Sequence, residues 1–386
     1  MGGQPRCRRG CDGGRLIKLL QITNVDFSLR HFLLPLMRGA RARGHEVVGI
    51  CAEGPLLDAP RAEGFRIIPV PMARSFSPSA HLPAFRQLRR IMREERFDLV
   101  HAHMPISGFL ARAAAKAEDV PRIAYTCHGF LFNQPGPLWR RGLSLGMEWV
   151  GGRMTDTFLT VSAEEAADAR RLWIDRSATP VGNGRDPAIF HPDPSTRASL
   201  RAEMNVVMGD CVIIGISRLV RHKGWPELLQ AMEGLPNAHL WVVGERLASD
   251  HGEDLTPHFT RAAALLGPRL RMLGYRHDVP RWLQAADVFA LPSHFEGLPM
   301  SVIEAMLTGL PVVATNISGC REQVVPGETG LLVPPMQVAE LAIALGRLAG
   351  DPQLRRRMGS AGRARALNHF TEAAVVDRTL DLLGVP

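Results

Sequence analysis

The sequence predicts an α/β chain made of two doubly wound, parallel-sheet domains in succession. Its 386 residues favour two domains, each able to bury its own core. Short β-branched and apolar runs alternate with helical periodicity from end to end, the pattern of parallel strands joined by crossover helices. One segment rich in Gly and Pro, VGNGRDPAIFHPDPST (181–196), interrupts the series and reads as an interdomain linker.

Before that break, the apolar runs place strands at 15–23, 45–52, 65–71, 98–104, 122–128 and 156–162. Helical periodicity places helices between them at about 31–43, 81–96, 106–118, 138–153 and 163–174. After it, strands are expected at 211–217, 238–243, 270–274, 288–292, 311–315 and 330–333, with helices between. The tail from 337 to 384 reads as helical, with a break near Asp351–Pro352. In such sheets ligands bind at the carboxyl ends of the strands, so the loops there are the places to look for chemistry.

Composition narrows the function. With 46% hydrophobic and 22% charged residues, a disordered or fibrous chain is excluded. No apolar run reaches membrane-spanning length, and the basic start MGGQPRCRRGCDGG has no apolar stretch behind it to make a secretory signal. A cytoplasmic location is expected. The six cysteines are scattered and read as buried reduced thiols; Cys7 and Cys11 lie in a Gly/Arg-rich tail without a partner pair. Residues 1–190 hold 27 Lys+Arg against 18 Asp+Glu, and the rest 19 against 20, so the net +8 comes from the first half. With few stacking aromatics, nucleic acid fits this poorly and an anionic membrane leaflet fits better.

The strongest motif is PSHFEGLPMSVIEAMLTGLPVVAT (292–315), where a strand, a loop and a helix follow one another. Glu296 sits in the loop and Glu304 in the helix, while backbone NH groups around Gly297, Leu298 and the helix start form an anion site. Either carboxylate alone reads as solvated. Beside an anion site, the pair suits a ligand carrying both phosphates and hydroxyls, as a nucleotide sugar does. The second motif, SRLVRHKG (217–224), puts Arg218 and Lys223 at a strand end, where a diphosphate could lie between two cations. Lys223 is one of only three lysines among 46 basic residues.

These two segments resemble the donor-binding half of the retaining glycosyltransferases of family 4, which have the GT-B fold. The likeness extends to Gly244 after strand 238–243 and to the Gly274-Tyr275 turn with the following DVPRWLQAADVFALPS. ITNVDFSLRHFLLPL (22–36), DLVHAHMPISG (99–109) and YTCHGFLFN (125–133) resemble the branch that builds capsules and surface polysaccharides. The resemblance implies two Rossmann-like domains facing a cleft, with a helical C-terminal tail. It implies a tail at 1–14, an acceptor-binding domain at 15–185, a nucleotide-sugar-binding domain at 186–370, and a helix at 371–386 packing back on the first domain.

Carried over residue by residue, it implies that Arg218 and Lys223 hold the diphosphate and stabilise it as it leaves. Glu304 would bind the ribose, Glu296 the donor sugar, and the backbone of Gly297, Leu298, Pro299 and Met300 would support sugar and phosphate. Tyr275 would contact the base, Gly244 would border the donor, and His128 would face the donor sugar. Asn24, Asp26 and His103 would lie on the acceptor side. The loop Asn24–Ser28 lacks the Gly-rich turn common in the family, and the loop after Gly244 departs from its usual pattern. His101 and His103 flank Ala102 on one strand and share a face, but no third metal ligand is evident. With no Asp-x-Asp in the chain, neither metal nor cofactor is expected.

The implied reaction is transfer of a sugar, with retention, from a nucleotide-sugar (UDP-sugar) donor to a lipid-linked or polysaccharide acceptor. The alternatives are a nucleotide-sugar epimerase on the same fold or a silent polymer-binding module. The expected place of work is peripheral, on the inner face of the plasma membrane. The docking element is expected to be helix 81–96, with Leu82, Phe85, Leu88 and Met92 as its apolar stripe and Arg86, Arg89, Arg90, Arg93 and Arg96 beside it.

Overall fold

The computed structural model describes residues 16–72, 78–134, 136–207, 209–246, 250 and 252–386. The expected tail at 1–14, with Cys7 and Cys11, lies outside the described residues. Seven strands form the first sheet: β1 (Lys18–Ile22), β2 (Glu46–Cys51), β3 (Arg66–Pro69), β4 (Leu99–His103), β5 (Arg122–Cys127), β6 (Thr157–Thr160) and β7 (Thr179–Pro180). Their order is β3-β2-β1-β4-β5-β6-β7. The second sheet contains β8 (Cys211–Ile216), β9 (Ala238–Val243), β10 (Leu270–Gly274), β11 (Val288–Leu291), β12 (Val312–Thr315) and β13 (Gly330–Val333), in the order β10-β9-β8-β11-β12-β13. The pairings around both centres are parallel. In both sheets the strand order reverses beside the first strand, which is the doubly wound arrangement.

By density of contacts the chain forms two compact units, residues 1–126 with 147–158 and 376–386, and residues 127–146 with 159–375. The first is cored by fully buried strand residues such as Leu19, Leu20, Ile22, Ile50 and Val100. In the second, alternation along each strand separates two cores. Val212, Ile214, Trp241 and Phe289 face one way, while Ile213, Leu240, Val242 and Val288 face the other. Each fully buried aliphatic side chain contributes about 1.5–3 kcal/mol. Cys51, Cys127, Cys211 and Cys320 are buried free thiols, and burial pushes Cys51 and Cys211 up to about 12.

Four local expectations are corrected. The helix after β1 begins at Asp26, not near 31: a turn at Asp26–Ser28 leads into a π-helical stretch, Leu29–Leu33, and then the α-helix Leu34–Ala42. β7, only two residues long, was not placed from the sequence; its Pro180 is tolerated on an edge strand. The break at 181–196 ends early, since Asp193 caps the helix Pro194–Glu203 by accepting from the NH groups of Ser195 and Thr196. Within that break, Arg185 pairs with Thr371, its NH donating to Phe370 O and its carbonyl accepting from Glu372 N, both at 3.0 Å.

The fourth correction concerns the expected docking helix, which spans Pro78–Glu95. Its buried side is Ala84, Leu88, Ile91 and Met92, whereas Leu82 is 47% exposed. Glu118 accepts from Arg89 at 2.6 Å and from Arg93 at 2.9 Å. The C-terminal tail breaks where expected, with Asp351 capping Pro352–His369. The final helix, Glu372–Leu382, supplies Asp377 and Asp381 as partners of Arg43, at 3.0 and 2.7 Å. Among the described residues no helix is long and apolar enough to cross a membrane.

Candidate functional site

Two strand-end loops of the second sheet are locked together. After β8, residues Arg221–Lys223 make a single 3-10 turn that ends at Gly224 in the left-handed region, φ 75°. A Cβ at Gly224 would overlap the carbonyl of Pro292, so only glycine lets this loop pack on the end of β11. His294 N donates to His222 O at 2.8 Å, and the rings of His222 and Phe295 stack 4.6 Å apart. This brings Lys223 Nζ to 2.6 Å from Glu296 Oε1. The helix Met300–Leu307 then starts with no side-chain cap, leaving its first NH groups available to an anion. Asn183 and Gln323 hold the carbonyls of Leu298 and Pro299 at 2.8 and 2.9 Å.

These loops wall a cavity of about 530 Å³ that His128, Arg218, Lys223, Glu296 and Gly297 all line. A side chain at Gly297 would press on the His128 carbonyl, at 3.0 Å from the new Cβ, so glycine permits this close approach. Burial pushes the His128 imidazole down to about 4. Burial, reinforced by Lys223 and Arg218, does the same to His222, also about 4. Both rings are neutral at pH 7, and the cation character of this wall comes from Arg218 and Lys223. Arg218 also pairs with Asp250.

The opposite wall was not foreseen in the sequence. Glu164, Glu165 and Asp168 come from the helix Ala163–Arg171, which Ser162 caps by accepting from Glu165 N at 3.2 Å. Glu165 is buried, its Oε2 has no hydrogen-bond partner among the described residues, and burial pushes its carboxyl up to about 8. Arg321 crosses to Glu164 at 3.0 Å, and Ala163 N donates to Glu322 at 2.7 Å. The signal was present as Ser162-x-x-Glu165, a helix-start pattern directly after a strand.

Other expected site residues lie outside the lining of this cavity. Glu304 is buried and accepts from Arg185 Nε at 2.6 Å. Gly244, at φ 130°, is a close-approach residue: a Cβ there would overlap the carbonyl of Ser217, and its NH donates to Gly274 O at 2.8 Å. Tyr275 is exposed and meets the His277 ring edge-on at 4.9 Å. Asn24, Asp26 and His103 belong to the first unit. Asp26 accepts from Phe27 N and Leu56 N, at 2.7 and 3.2 Å, fixing its own loop. His103 bonds Gln21 at 2.8 Å and His101 bonds Thr126 at 2.7 Å, their rings 4.1 Å apart on the shared face. Among the described residues, no three His, Cys, Asp or Glu side chains group as a metal site would require.

Comparison with known proteins gives this geometry a family. Residues 196–365 match the family model described as glycosyl transferases group 1, and residues 31–189 match glycosyltransferase family 4. The chain is 30% identical to the putative glycosyltransferase EpsD of Bacillus subtilis, over 95% of this chain and 96% of that one. It is 28% identical to an Escherichia coli UDP-Gal:alpha-D-GlcNAc-diphosphoundecaprenol alpha-1,3-galactosyltransferase, over 86% and 87% of the two chains. Among solved structures, HepE of Anabaena in complex with UDP and glucose superposes with a TM-score of 0.82 at 21% identity, covering 96% of this chain and 100% of that one. The chain thus belongs to the group 1 and family 4 glycosyltransferases, and its two parallel sheets are those of their GT-B fold.

Proposed function

We propose that this enzyme transfers a sugar, with retention, from a UDP-sugar to a lipid-linked or polysaccharide acceptor in surface-polysaccharide synthesis. One observation carries the reading: Arg218, Lys223, Glu296 and the neutral His128 border one cavity, beside an uncapped helix start. That set matches a ligand with a diphosphate at one end and hydroxyls at the other. Lys223 has three donors and directs one at Glu296, which leaves two for phosphate oxygens. Arg218 offers a planar fork to the same group. Fixed positive charge at the leaving diphosphate stabilises the transition state more than the ground state, because negative charge grows there as the glycosidic bond breaks.

In this reading Glu296 takes hydroxyls of the sugar, and Glu304, steadied by Arg185, takes the ribose. The backbone of Gly297 to Met300 supports both, Tyr275 meets the base, and Asn24, Asp26 and His103 serve the acceptor. The neutral imidazole of His128 faces the sugar and accepts or donates a hydrogen bond without adding charge. The sugar is a hexose or N-acetylhexosamine, and no metal ion takes part. The relatives named for diphosphoundecaprenol-linked galactosyl transfer in Escherichia coli and for capsular polysaccharide biosynthesis in Staphylococcus aureus support the acceptor class. The basic first half and the absence of a spanning helix among the described residues support peripheral work on the inner leaflet.

The test is a panel of UDP- and GDP-sugars scored by thermal shift, then incubation of any binder with a diphosphoprenyl acceptor. The reading expects a UDP-sugar to bind and its sugar to appear on the acceptor with the donor's anomeric configuration. Binding of no nucleotide sugar would overturn it, and conversion of the donor without acceptor would identify an epimerase instead. EDTA should leave the rate unchanged; loss of activity restored by Mg²⁺ or Mn²⁺ would reject the metal-free assignment.

A further inference from the structure

The helix Leu138–Gly152 packs the wrong way round for an amphipathic helix of a globular protein. Its inward side is polar or small: Ser144, Glu148 and Gly151 are buried, at helical spacing. Glu148 accepts from Tyr125 Oη at 3.0 Å and from the fully buried Arg112 at 3.3 Å. Arg112 in turn lies 3.8 Å from the centre of the Tyr125 ring. A Cβ at Gly151 would come within 2.6 Å of the Arg112 guanidinium, so the helix is seated there by an ion pair and a glycine. Removing either charge from such a buried pair strands the other, which fixes the helix's rotation.

With that side anchored, the apolar side chains point outward. Leu138 is 79% exposed, Trp139 62%, and Leu143, Trp149 and Val150 each 44–45%. Trp139, Leu143, Trp149, Val150 and Arg153 recur at helical spacing along one stripe, with Gly142 and Gly146 between them opening onto free space. Every exposed charge on this helix is positive. Arg140 sits 5.2 Å from the Trp139 ring and Arg153 only 3.2 Å from the Trp149 ring. Scattered exposed apolar residues are ordinary, but two tryptophans and two aliphatics on one stripe, with Leu138 exposed at the start of the same helix, are a patch that needs a partner.

We infer that this face is a docking surface for an anionic lipid bilayer. Exposed tryptophans flanked by arginine, on a helix free of exposed carboxylates, are the chemistry of a helix lying in a headgroup layer. The positive charge of this face complements an anionic lipid surface. The same helix also carries Arg141 into the lining of the cavity, two residues from Trp139 and from Leu143. A bilayer seated on the stripe therefore brings lipid headgroups within about one helical turn of the cavity wall. This rests on the proposed lipid-linked acceptor for its purpose, and it moves the docking role away from the helix Pro78–Glu95, where Glu118 already holds two of the arginines.

The test is co-sedimentation with vesicles of phosphatidylglycerol and phosphatidylcholine, and with phosphatidylcholine alone. The full chain should bind the mixed vesicles in a salt-sensitive way, and Trp139→Ser with Trp149→Ser should weaken that binding about tenfold or more. Leu138→Ser with Leu143→Ser serves as a second variant should the first fail to fold. Undiminished binding by both, or loss only when Arg86, Arg89, Arg90 and Arg93 are changed to Gln, would overturn the assignment. So would a dimer in light scattering that the tryptophan variant dissociates, without vesicle binding by the full chain. The melting shift given by UDP is read alongside. Vesicle binding without a UDP shift would sink the functional reading and leave the docking surface standing; a UDP shift without vesicle binding would do the reverse.

Discussion

The two walls of the cavity are built on opposite electrostatic principles. On one side, the loops 217–224 and 292–300 bring oppositely charged groups together, so that Lys223 and Glu296 fix each other at 2.6 Å. On the other, the start of the helix Ala163–Arg171 gathers carboxyls, and burial holds Glu165 neutral. The first wall is polar because it is paired; the second is polar at the expense of stability, since Glu165 Oε2 is buried without a partner among the described residues. The lesson is that the charge an anionic ligand meets at pH 7 is set by the cationic loops, with His128 and His222 silent. Variants on the two walls should therefore fail in different ways.

The largest effect is expected from Lys223→Ala. It removes a cation from the diphosphate and also leaves the Glu296 carboxylate, its former partner, facing the same phosphates. Charge-assisted contacts are worth roughly 1.5–3 kcal/mol, which converts to a fall in transfer rate of about tenfold to a hundredfold or more. Near-normal turnover with an intact fold would break the assignment of this wall to phosphate.

Next come the two glutamates. Glu304→Gln should weaken UDP itself, because the ribose loses a charged acceptor while the amide still accepts from Arg185. Glu296→Gln should spare UDP, weaken the sugar nucleotide and slow transfer. Isothermal titration with UDP and with the UDP-sugar separates the two. Equal losses on UDP alone would erase the division of labour within the cationic wall.

The same contrast explains what could be read from the sequence. The cationic wall is made of contiguous segments at strand ends, so alternating apolar runs located it and the residue types named its chemistry. The acidic wall needs residues 163–168 to meet 321–322, a tertiary fact that local pattern does not carry, even though Ser162-x-x-Glu165 announced the helix start. Strand positions were legible because parallel strands leave apolar runs, as in CVIIGI of β8. Three features were not. The π-helical stretch at Leu29–Leu33 has no compositional mark. The two-residue strand Thr179–Pro180 is too short to leave an apolar run. In the helix Leu138–Gly152, periodicity located the helix at 138–153, but not the buried Arg112–Glu148 pair that turns its polar side inward.

The smallest effect on transfer is expected from the acidic wall, where the change should appear instead in stability, as a gain. An ordinary glutamate titrates near 4.5, while Glu165 in the folded protein titrates near 8. Below pH 4.5 both folded and unfolded chains hold this proton, and the group adds no pH dependence. Between 4.5 and 8 the unfolded chain releases the proton and the folded one keeps it, so stability falls as pH rises, by at most about 1.4 kcal/mol per pH unit. Above 8 both are ionised and the loss levels off. Glu165→Gln keeps the shape and cannot ionise, so it escapes that loss. Its melting temperature should match the parent near pH 4.5 and exceed it increasingly up to pH 8, at roughly 2–4 °C per kcal/mol for a unit of this size. Glu322, whose own carboxyl burial raises, also repels Glu165 and adds to its rise, so the difference between the two proteins includes that repulsion. Calorimetry of the two proteins from pH 4.5 to 9 gives the comparison directly. A difference that stays flat with pH would mean that Glu165 is ionised in the fold, and the two walls would then not differ in the way their burial indicates.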